Sequence, residues 1–197
     1  MNTPLNTLGA SNLSQKQRSN RDFYATDPKT INALLEIETF SNNVWEPAAG
    51  TGNITKALEK FGYTVRSTDI VKYEDDSGYK AEELDFLQNR SKENSFEGDI
   101  ITNPPYSLAK DFVLKALSLI TPGHKVCMLL RLQFLEGQDR YVQLFSQGGL
   151  QKVYVFTNRQ VCSATNDFTV GSAIAFAWFI WEKGYTGDPV IKWLSTK

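Results

Sequence analysis

The two consecutive prolines at positions 104 and 105 constrain the fold of this chain more than any other feature. They follow an apolar run within Asp99–Ser107 that is typical of a buried strand. Because Pro104 and Pro105 fix φ and lack N–H donors, they predict a stiff loop at the end of that strand. Asn103 adds a side-chain oxygen and Tyr106 a flat ring. These groups suit a planar ligand with an exocyclic amine, such as a nucleobase extruded from a duplex, although a plain surface turn could use the same residues.

A strand-loop-helix-strand unit lies upstream of this loop. Val44-Trp45 is typical of a short buried strand, and it ends in Glu46–Gly52, a loop of mostly small residues. The apolar spacing of Ile54–Phe61 predicts an amphipathic helix. Tyr63–Ile70 then predicts a second strand, which reaches its end near Asp69. Units of this kind bind nucleotides at the loop that opens the helix.

The residues of this unit narrow the choice of nucleotide. No Gly-Lys-Ser/Thr follows the loop, as a P-loop would require, and the loop is not the Gly-x-Gly-x-x-Gly fingerprint. Glu46, at the end of its strand, is placed to hold a cationic amine, and Asp69 is placed to bind ribose hydroxyls. A cationic ligand with an amine and a ribose is S-adenosylmethionine, which we therefore predict as the cofactor.

Composition excludes several other functions. The single histidine, His124, and two cysteines without metal-binding spacing, Cys127 and Cys162, argue against a zinc site or a Ser-His mechanism, so we expect no metal. The two cysteines, which have no disulfide-rich context, also favour a reducing cytoplasm. The longest apolar run, Ala173–Trp181, is too short to span a bilayer, and the first residues lack the apolar core of a signal peptide.

Charge is distributed unevenly along the chain. The net charge is −1, and most of the acidic excess lies between Glu74 and Asp99, so a surface that faces nucleic acid must be local. Residues 1–20 are rich in Asn, Ser and Gln and carry Lys16 and Arg18. They form either a frayed terminal tail or a basic arm that contacts phosphate.

The remaining pattern alternates strands with helices, which predicts a single α/β domain with a mostly parallel sheet and helices on both faces. Asp27 and Pro28 predict the start of a helix that continues to Ile37, and Ser107 is expected to cap a helix whose core face begins at Leu108. The other expected segments are a loop at Glu74–Glu83 interrupted at Leu84–Leu87, strands at Lys125–Leu132, Val153–Phe156 and Ser172–Trp181, a helix at Gln138–Gln147 and a polar loop at Asn158–Val170.

The two loops together resemble those of a known enzyme family. Glu-Pro-Ala-Ala-Gly-Thr-Gly at 46–52 and Asn-Pro-Pro-Tyr at 103–106 are similar to the motifs of amino-group DNA methyltransferases of the N6-adenine type. Asp22–Pro28 resembles the leading cofactor motif of that family, and the small size resembles a phage or prophage form. The resemblance implies a Rossmann-like class I methyltransferase domain over residues 21–197, without a separate target-recognition domain.

The resemblance also implies roles for individual residues. The catalytic residues would be Asn103, Pro104, Pro105 and Tyr106, and Asn103 would also lie against the cofactor. The other cofactor-binding residues would be Tyr24, Thr26, Glu46, Pro47, Ala48, Gly50, Gly52, Asn53, Asp69, Ile70, Asp85 and Phe86. The substrate would contact Tyr106, Arg159, Phe168, Lys16 and Arg18.

These implications lead to one expected function and several alternatives. We expect methyl transfer to adenine N6 in double-stranded DNA, with base flipping, by a monomer or weak dimer in a bacterial cytoplasm, with no membrane contact. Sequence context would be short or relaxed unless a separate partner supplies recognition. Cytosine-C5 chemistry is excluded because Cys127 and Cys162 do not follow a proline. Transfer to cytosine N4, to ribosomal RNA guanine or to a protein glutamine stays open, as does a non-catalytic binding module of the same fold.

Overall fold

A computed structural model describes residues 25–73, 78–160, 162–163, 168 and 173–197. The predicted arm at 1–20, with Lys16 and Arg18, lies outside the described residues, as does Tyr24. The strands are β1 (Ala25–Thr26), β2 (Asn43–Glu46), β3 (Thr64–Asp69), β4 (Glu82–Glu83), β5 (Asp99–Thr102), β6 (Lys125–Arg131), β7 (Leu150–Phe156), β8 (Cys162–Ser163), β9 (Phe176–Glu182) and β10 (Val190–Leu194). The helices are α1 (Pro28–Leu35), α2 (Asn53–Lys60), α3 (Ala109–Leu119) and α4 (Gln138–Gln143).

Eight strands form one sheet in the order β10-β7-β9-β6-β5-β2-β3-β4. Only β9 runs antiparallel to its neighbours in this sheet, as its pairing with β6 and β7 shows. The short strands β1 and β8 pair separately and antiparallel. The predicted α/β fold with a mostly parallel sheet is therefore confirmed.

Helices cover both faces of the sheet because the central strands are apolar on both sides. In β6, Val126, Met128 and Leu130 pack into one core cluster with α3, whereas Cys127 and Leu129 pack into a second cluster with α1 and α2. All five of these side chains are at most 1% exposed. Alternation along a single strand thus builds two cores.

The start of α1 follows the sequence prediction. The Asp27 side chain accepts a hydrogen bond from the Lys29 backbone N–H at 2.9 Å, and Pro28 occupies the first helical position. Proline at this position costs nothing because its missing N–H would have no partner within the helix. The helix ends at Leu35, two residues earlier than predicted.

The start of α3 differs from the prediction. Ser107 lies inside a short 3₁₀ turn, Tyr106–Leu108, and Leu108 occupies the N-cap position of the helix that follows. The Leu108 N–H donates to the Pro105 carbonyl, which closes the turn. Leu108 is 40% exposed, and the core face begins one residue later at Ala109, which is 2% exposed. The predicted Ser107 cap is wrong because the two prolines lead into a tight turn before the helix begins.

Several other boundaries also differ. Glu82–Glu83, expected in a loop, pairs with the end of β3, and the polar loop after β7 contains β8. The helix predicted over Gln138–Gln147 ends at Gln143 and continues as a separate 3₁₀ turn. Strand β9 begins at Phe176, later than predicted. Strand β10 was not predicted, since its first four residues are all exposed and lack an alternating pattern.

A charged cluster anchors the edge of the sheet where the parallel strands begin. Glu38 is buried and accepts hydrogen bonds from Lys125 and Lys152, each at 2.8 Å, and from the Tyr154 hydroxyl at 2.8 Å. Burial alone would raise the pKa of Glu38, but these hydrogen bonds outweigh it and hold the pKa below its ordinary value. The cluster therefore stabilises the ionised carboxylate.

The described helices are short. The longest, α3, has 11 residues, about half of the roughly 20 apolar residues that a membrane-spanning helix needs, and none of the described helices could cross a membrane. Among the described residues, no group of three or more His, Cys, Asp or Glu side chains is arranged to hold a metal ion.

Candidate active site

The point where the strand order reverses lies between β2 and β5. From β2 the chain continues outward through β3 and β4, and from β5 it continues in the opposite direction through β6. Connections leave a crevice at the carboxyl ends of the strands beside such a point, and open α/β sheets bind their ligands there. Here β2 ends at Glu46 and β5 leads directly into Asn103.

A cavity of about 370 Å³ occupies this crevice. Its volume falls in the range of about 300–1,000 Å³ that is usual for small-molecule sites. The structure brings most of the predicted residues to its wall. They are Thr26, Glu46, Pro47, Ala48, Gly50, Asn53, Asp69, Ile70, Asp85, Phe86, Asn103 and Pro105.

Some predicted residues lie elsewhere. Of those that the structure describes, the ones that do not line the cavity are Gly52, Pro104, Tyr106, Arg159 and Phe168. Pro104 is buried and Tyr106 half-buried beside the lining residues, Phe168 is half-buried, and Arg159 is exposed beyond the end of β7. Their contributions to binding stay predictions.

Glu46 is the most deeply buried acid in the cavity wall, with 1% of its surface exposed. Its carboxylate accepts a hydrogen bond from the Thr55 hydroxyl in the first turns of α2. Burial raises the pKa of Glu46 well above its ordinary value, and the nearby Asp69 carboxylate raises it further. A cationic group in the cavity would offset this cost, so the site favours a positively charged ligand.

Asp69 fixes the shape of the small-residue loop. Its two carboxylate oxygens accept hydrogen bonds from the backbone N–H groups of Gly50 at 2.8 Å and Val71 at 3.0 Å. Burial raises the pKa of Asp69, although these two N–H groups act against the rise. Each carboxylate oxygen can accept a further hydrogen bond. Asp69 can thus hold the loop and a ligand hydroxyl together.

Asp85 and Phe86 contribute a third part of the wall. Oδ1 of Asp85 accepts hydrogen bonds from the backbone N–H groups of Leu87 and Gln88, which fixes the turn that follows β4. The Phe86 ring is only 2% exposed and packs between Trp45 and Phe112, with centroid distances of 5.3 and 5.1 Å. Most of the Phe86 ring therefore belongs to the core, and a ligand can meet only its remaining surface.

Thr26 links the start of α2 to the Asn-Pro-Pro-Tyr loop. Its backbone carbonyl accepts a hydrogen bond from Asn53 Nδ2 at 2.9 Å, and its hydroxyl accepts one from Asn103 Nδ2 at 3.0 Å. The first of these donors begins α2 and the second follows β5. Pairing of β1 with β8 also holds this short segment.

The Tyr106 ring lies beside the cavity in an aromatic and cationic environment. Its centroid is 5.5 Å from that of Phe176, and the guanidinium carbon of Arg131 lies over the ring at 4.9 Å. Arg131 and Phe176 face each other across β6 and β9. The ring is therefore supported by two neighbouring residues at the end of the sheet.

Tyr79 and Thr55 lie behind the cavity wall, and the sequence did not identify them. Gly52 has φ of +78°, and a Cβ there would lie 2.5 Å from the Tyr79 ring, so another residue would be strained and would displace that ring. The Tyr79 hydroxyl lies 3.3 Å from the Thr55 hydroxyl, which in turn bonds Glu46. Gly52 thus shapes the site through Tyr79 and not by lining the cavity. Only tertiary contact reveals this chain of bonds, because Tyr79 lies in an irregular segment.

Comparison with known proteins identifies the fold. The sequence matches no protein-family model and no curated protein. Its structure resembles a predicted O-methyltransferase of Agrobacterium tumefaciens, with 14% identity, a TM-score of 0.57 and coverage of 85% of each chain. It also resembles a Listeria monocytogenes protein described as a class I S-adenosylmethionine-dependent methyltransferase, with 15% identity, a TM-score of 0.59 and coverage of 91% of this chain and 68% of that one.

A third similar structure is a modification subunit described for a type I restriction enzyme of Vibrio vulnificus. Identity is 13%, the TM-score is 0.61, and the likeness covers 87% of this chain and 46% of the Vibrio chain. This chain thus spans less than half of that subunit. At such identities the likeness concerns the fold, which is the Rossmann-like fold of class I methyltransferases.

Proposed function

We propose that this chain is an S-adenosylmethionine-dependent methyltransferase that modifies the exocyclic N6 amine of adenine in DNA. One observation carries the proposal. A single cavity at the reversal of strand order joins two buried acids at strand ends, Glu46 and Asp69, to Asn103 of the Asn-Pro-Pro-Tyr loop. The acids suit a cationic nucleoside, and the loop suits a planar amine.

The residues of the cavity fit this cofactor. Glu46, whose buried carboxyl is costly to ionise alone, would hold the positively charged amino group, and Asp69 would accept from the ribose hydroxyls. Asp85 uses Oδ1 for its own turn, and its carboxylate would also accept from the adenine amine of the cofactor. When bound, S-adenosylmethionine supplies an electrophilic methyl group.

Asn103 and Pro104 would prepare the target amine. The nitrogen lone pair of adenine N6 is delocalised into the ring, which makes the amine a poor nucleophile. Hydrogen bonds from its two N–H groups to Asn103 Oδ1 and the Pro104 carbonyl would draw the nitrogen towards a tetrahedral shape and localise the lone pair. The contribution is orientation and hydrogen-bond preorganisation, with no general base before attack, because the nitrogen would lose a proton only after it has taken the methyl group. S-adenosylhomocysteine would be the other product.

The bond between Asn103 and Thr26 supports this assignment. Because Asn103 Nδ2 donates to the Thr26 hydroxyl, the amide is oriented with its oxygen as the acceptor for a target. Tyr106 would stack on the flipped base, and Phe168 would provide a second wall. Double-stranded DNA is then the proposed partner, with Lys16, Arg18 and Arg159 as proposed phosphate contacts.

One experiment separates this proposal from its alternatives. Purified protein is incubated with labelled S-adenosylmethionine and, in separate reactions, unmodified DNA, ribosomal RNA or release-factor protein. We expect label in DNA only, recovered as N6-methyl-2′-deoxyadenosine after nucleoside analysis, and none with the Asn103→Ala variant. Label at cytosine N4, in RNA or in protein would identify the corresponding alternative. Cofactor binding without transfer to any of these substrates would favour a binding module.

A further inference from the structure

The cation of Arg131 lies over the ring of Tyr106, in the loop that leads out of the cavity wall at Asn103 and Pro105. Arg131 is the last residue of β6, so it stands at the carboxyl edge of the sheet, and its side chain is exposed. Its guanidinium carbon is 4.9 Å from the centroid of the Tyr106 ring. The function proposed above assigns Tyr106 to the flipped base, and the following inference rests on that function.

No carboxylate neutralises this cation among the residues that the structure describes. The ion pairs of that part of the chain involve other basic residues, such as Lys110 with Asp139 and Arg66 with Glu82. The ring of Tyr106 attracts the guanidinium only modestly, since a cation–π contact is weaker than an ion pair with good geometry. Arg131 therefore retains its capacity to bind an anion.

The contact with Tyr106 leaves Arg131 with donors for a further ligand. A guanidinium carries five N–H donors in a planar fork that matches phosphate, which is more than a contact with one ring can occupy. Tyr106 thus holds the guanidinium beside the position that the proposed function gives to the flipped nucleotide.

We propose that Arg131 binds a phosphate beside the flipped target nucleotide. Because the guanidinium lies 4.9 Å from the Tyr106 ring, a base that stacks on Tyr106 brings the phosphate of the same nucleotide close to Arg131. The substrate of this site is then a nucleic acid chain, and a phosphate-free nucleoside or a protein amide would not use Arg131.

The test measures binding to a DNA duplex as a function of salt concentration, with three variants. Arg131→Gln removes the charge and the fork, Arg131→Lys keeps the charge alone, and Lys192→Gln is the matched control. Lys192 is exposed on the edge strand β10, away from the cavity. Its Nζ atom lies 5.8 Å from the centroid of the Tyr154 ring. Cofactor affinity and thermal unfolding are measured for each protein.

For Arg131→Gln we expect a log–log salt slope that is less steep by about 0.9, corresponding to one lost phosphate contact. The dissociation constant for DNA should rise about tenfold, as for loss of a charge-assisted hydrogen bond. Arg131→Lys should keep the slope and lose part of the affinity, and Lys192→Gln should change neither. Cofactor affinity should be unchanged throughout.

Two negative results are distinguishable. If the unaltered protein methylates DNA and Arg131→Gln has the same salt slope and affinity, the inference about Arg131 is overturned while the proposed function stands. If the unaltered protein binds its cofactor but neither binds nor methylates DNA, the proposed function itself fails. An equal loss of slope in Lys192→Gln would also overturn the inference, because the effect would then be one of general charge.

Discussion

Asn103 Nδ2 donates a hydrogen bond to Thr26 Oγ1 at 3.0 Å, although 77 residues separate the two positions in sequence. Thr26 also accepts from Asn53 through its backbone carbonyl. One short segment before α1 therefore positions both the start of α2 and the loop after β5. Under the proposed function, the orientation of Asn103 depends on a residue that need not touch the target base.

Replacing Thr26 with valine should reduce methyl transfer. The substitution keeps the shape of the side chain but removes the acceptor of Asn103 Nδ2. Loss of one hydrogen bond by a partly buried amide costs about 1–3 kcal/mol. If that cost falls on the orientation of Asn103, single-turnover rates should fall about tenfold or more. Thr26→Ser, which retains the hydroxyl, is the matched control and should stay close to the original rate. Equal rates for both variants would contradict this role.

Replacing Asn103 with alanine should abolish most transfer and largely preserve cofactor binding, because Asn103 would contact the target amine while Glu46 and Asp69 anchor the cofactor. Removal of a preorganised hydrogen-bond partner typically costs on the order of 10²–10³ in rate. Calorimetry with S-adenosylmethionine and a labelled transfer assay measure the two effects separately. Asn158→Ala, at an exposed site that bonds Thr196, serves as control. Near-normal turnover in Asn103→Ala would refute the mechanism.

Replacing Glu46 with glutamine should stabilise the cofactor-free protein against unfolding and weaken its binding of the cofactor. The pKa of Glu46 is raised in the fold, so the folded state holds its proton more tightly than the unfolded state does. Stability then falls as pH rises from the ordinary value of 4.5 towards the raised pKa. The Glu46→Gln variant does not undergo this loss, so its stability relative to the unaltered protein should increase with pH. Cofactor affinity should fall about tenfold or more, because a charge-assisted contact is lost.

Urea unfolding across this pH range and calorimetry at neutral pH test both parts of the Glu46 prediction. Glu93→Gln, at an exposed position between β4 and β5, is the matched control for removal of one carboxylate. A Glu46→Gln variant with unchanged cofactor affinity would show that Glu46 does not hold the cationic group. A variant that is destabilised at neutral pH would contradict the pKa argument.

Replacing Glu38 with glutamine should destabilise the fold without affecting the site. Removing one member of a buried ionic cluster costs about 3–5 kcal/mol. Since the pKa of Glu38 is lowered in the fold, its contribution is present above the ordinary value of 4.5 and is lost as pH falls through the lowered pKa. The difference in unfolding free energy from the unaltered protein should thus shrink in acid.

The same substitution at an exposed ion pair provides the control for Glu38. Glu82 pairs with Arg66 at the surface, where the two side chains are 54% and 43% exposed, and such pairs contribute about 0–1 kcal/mol. Glu82→Gln should therefore change unfolding very little. Equal destabilisation by the two variants, or a loss of cofactor binding in Glu38→Gln, would contradict the placement of the cluster.

The sequence predicted the parts of this fold that local pattern determines. The buried strand before Asn103 and the capped start of α1 are examples, because apolar runs, proline and a capping aspartate act on their own neighbours. Strand β10 was missed because Val190 and Ile191 are exposed at the edge of the sheet and show no alternation. The contacts of Tyr79 and Thr26 were beyond reach, since they join segments that only the tertiary fold brings together.

We expect this chain to recognise a short or loosely defined DNA sequence around the target adenine. Reading a duplex takes side chains that reach several base edges, and each wrong base pair must cost about 1–3 kcal/mol to define a long site. At the carboxyl edge of the sheet, the described segments outside the strands and the cavity wall are short, namely the 3₁₀ turn Leu132–Leu135 and the residues around Arg159. Such elements can hold phosphates and contact one or two bases beside the target.

We therefore expect cells that express this chain alone to carry N6-methyladenine in many sequence contexts that share at most a few bases around the target. Mapping of modified bases on plasmid DNA from these cells, with the Asn103→Ala variant as background, tests the expectation. Because the elements near Arg159 and the 3₁₀ turn can reach only the nearest bases, the shared positions should adjoin the methylated adenine. Methylation confined to one long and strict motif would contradict this reasoning, and it would mean that residues outside the described ranges, or a separate partner, read the DNA.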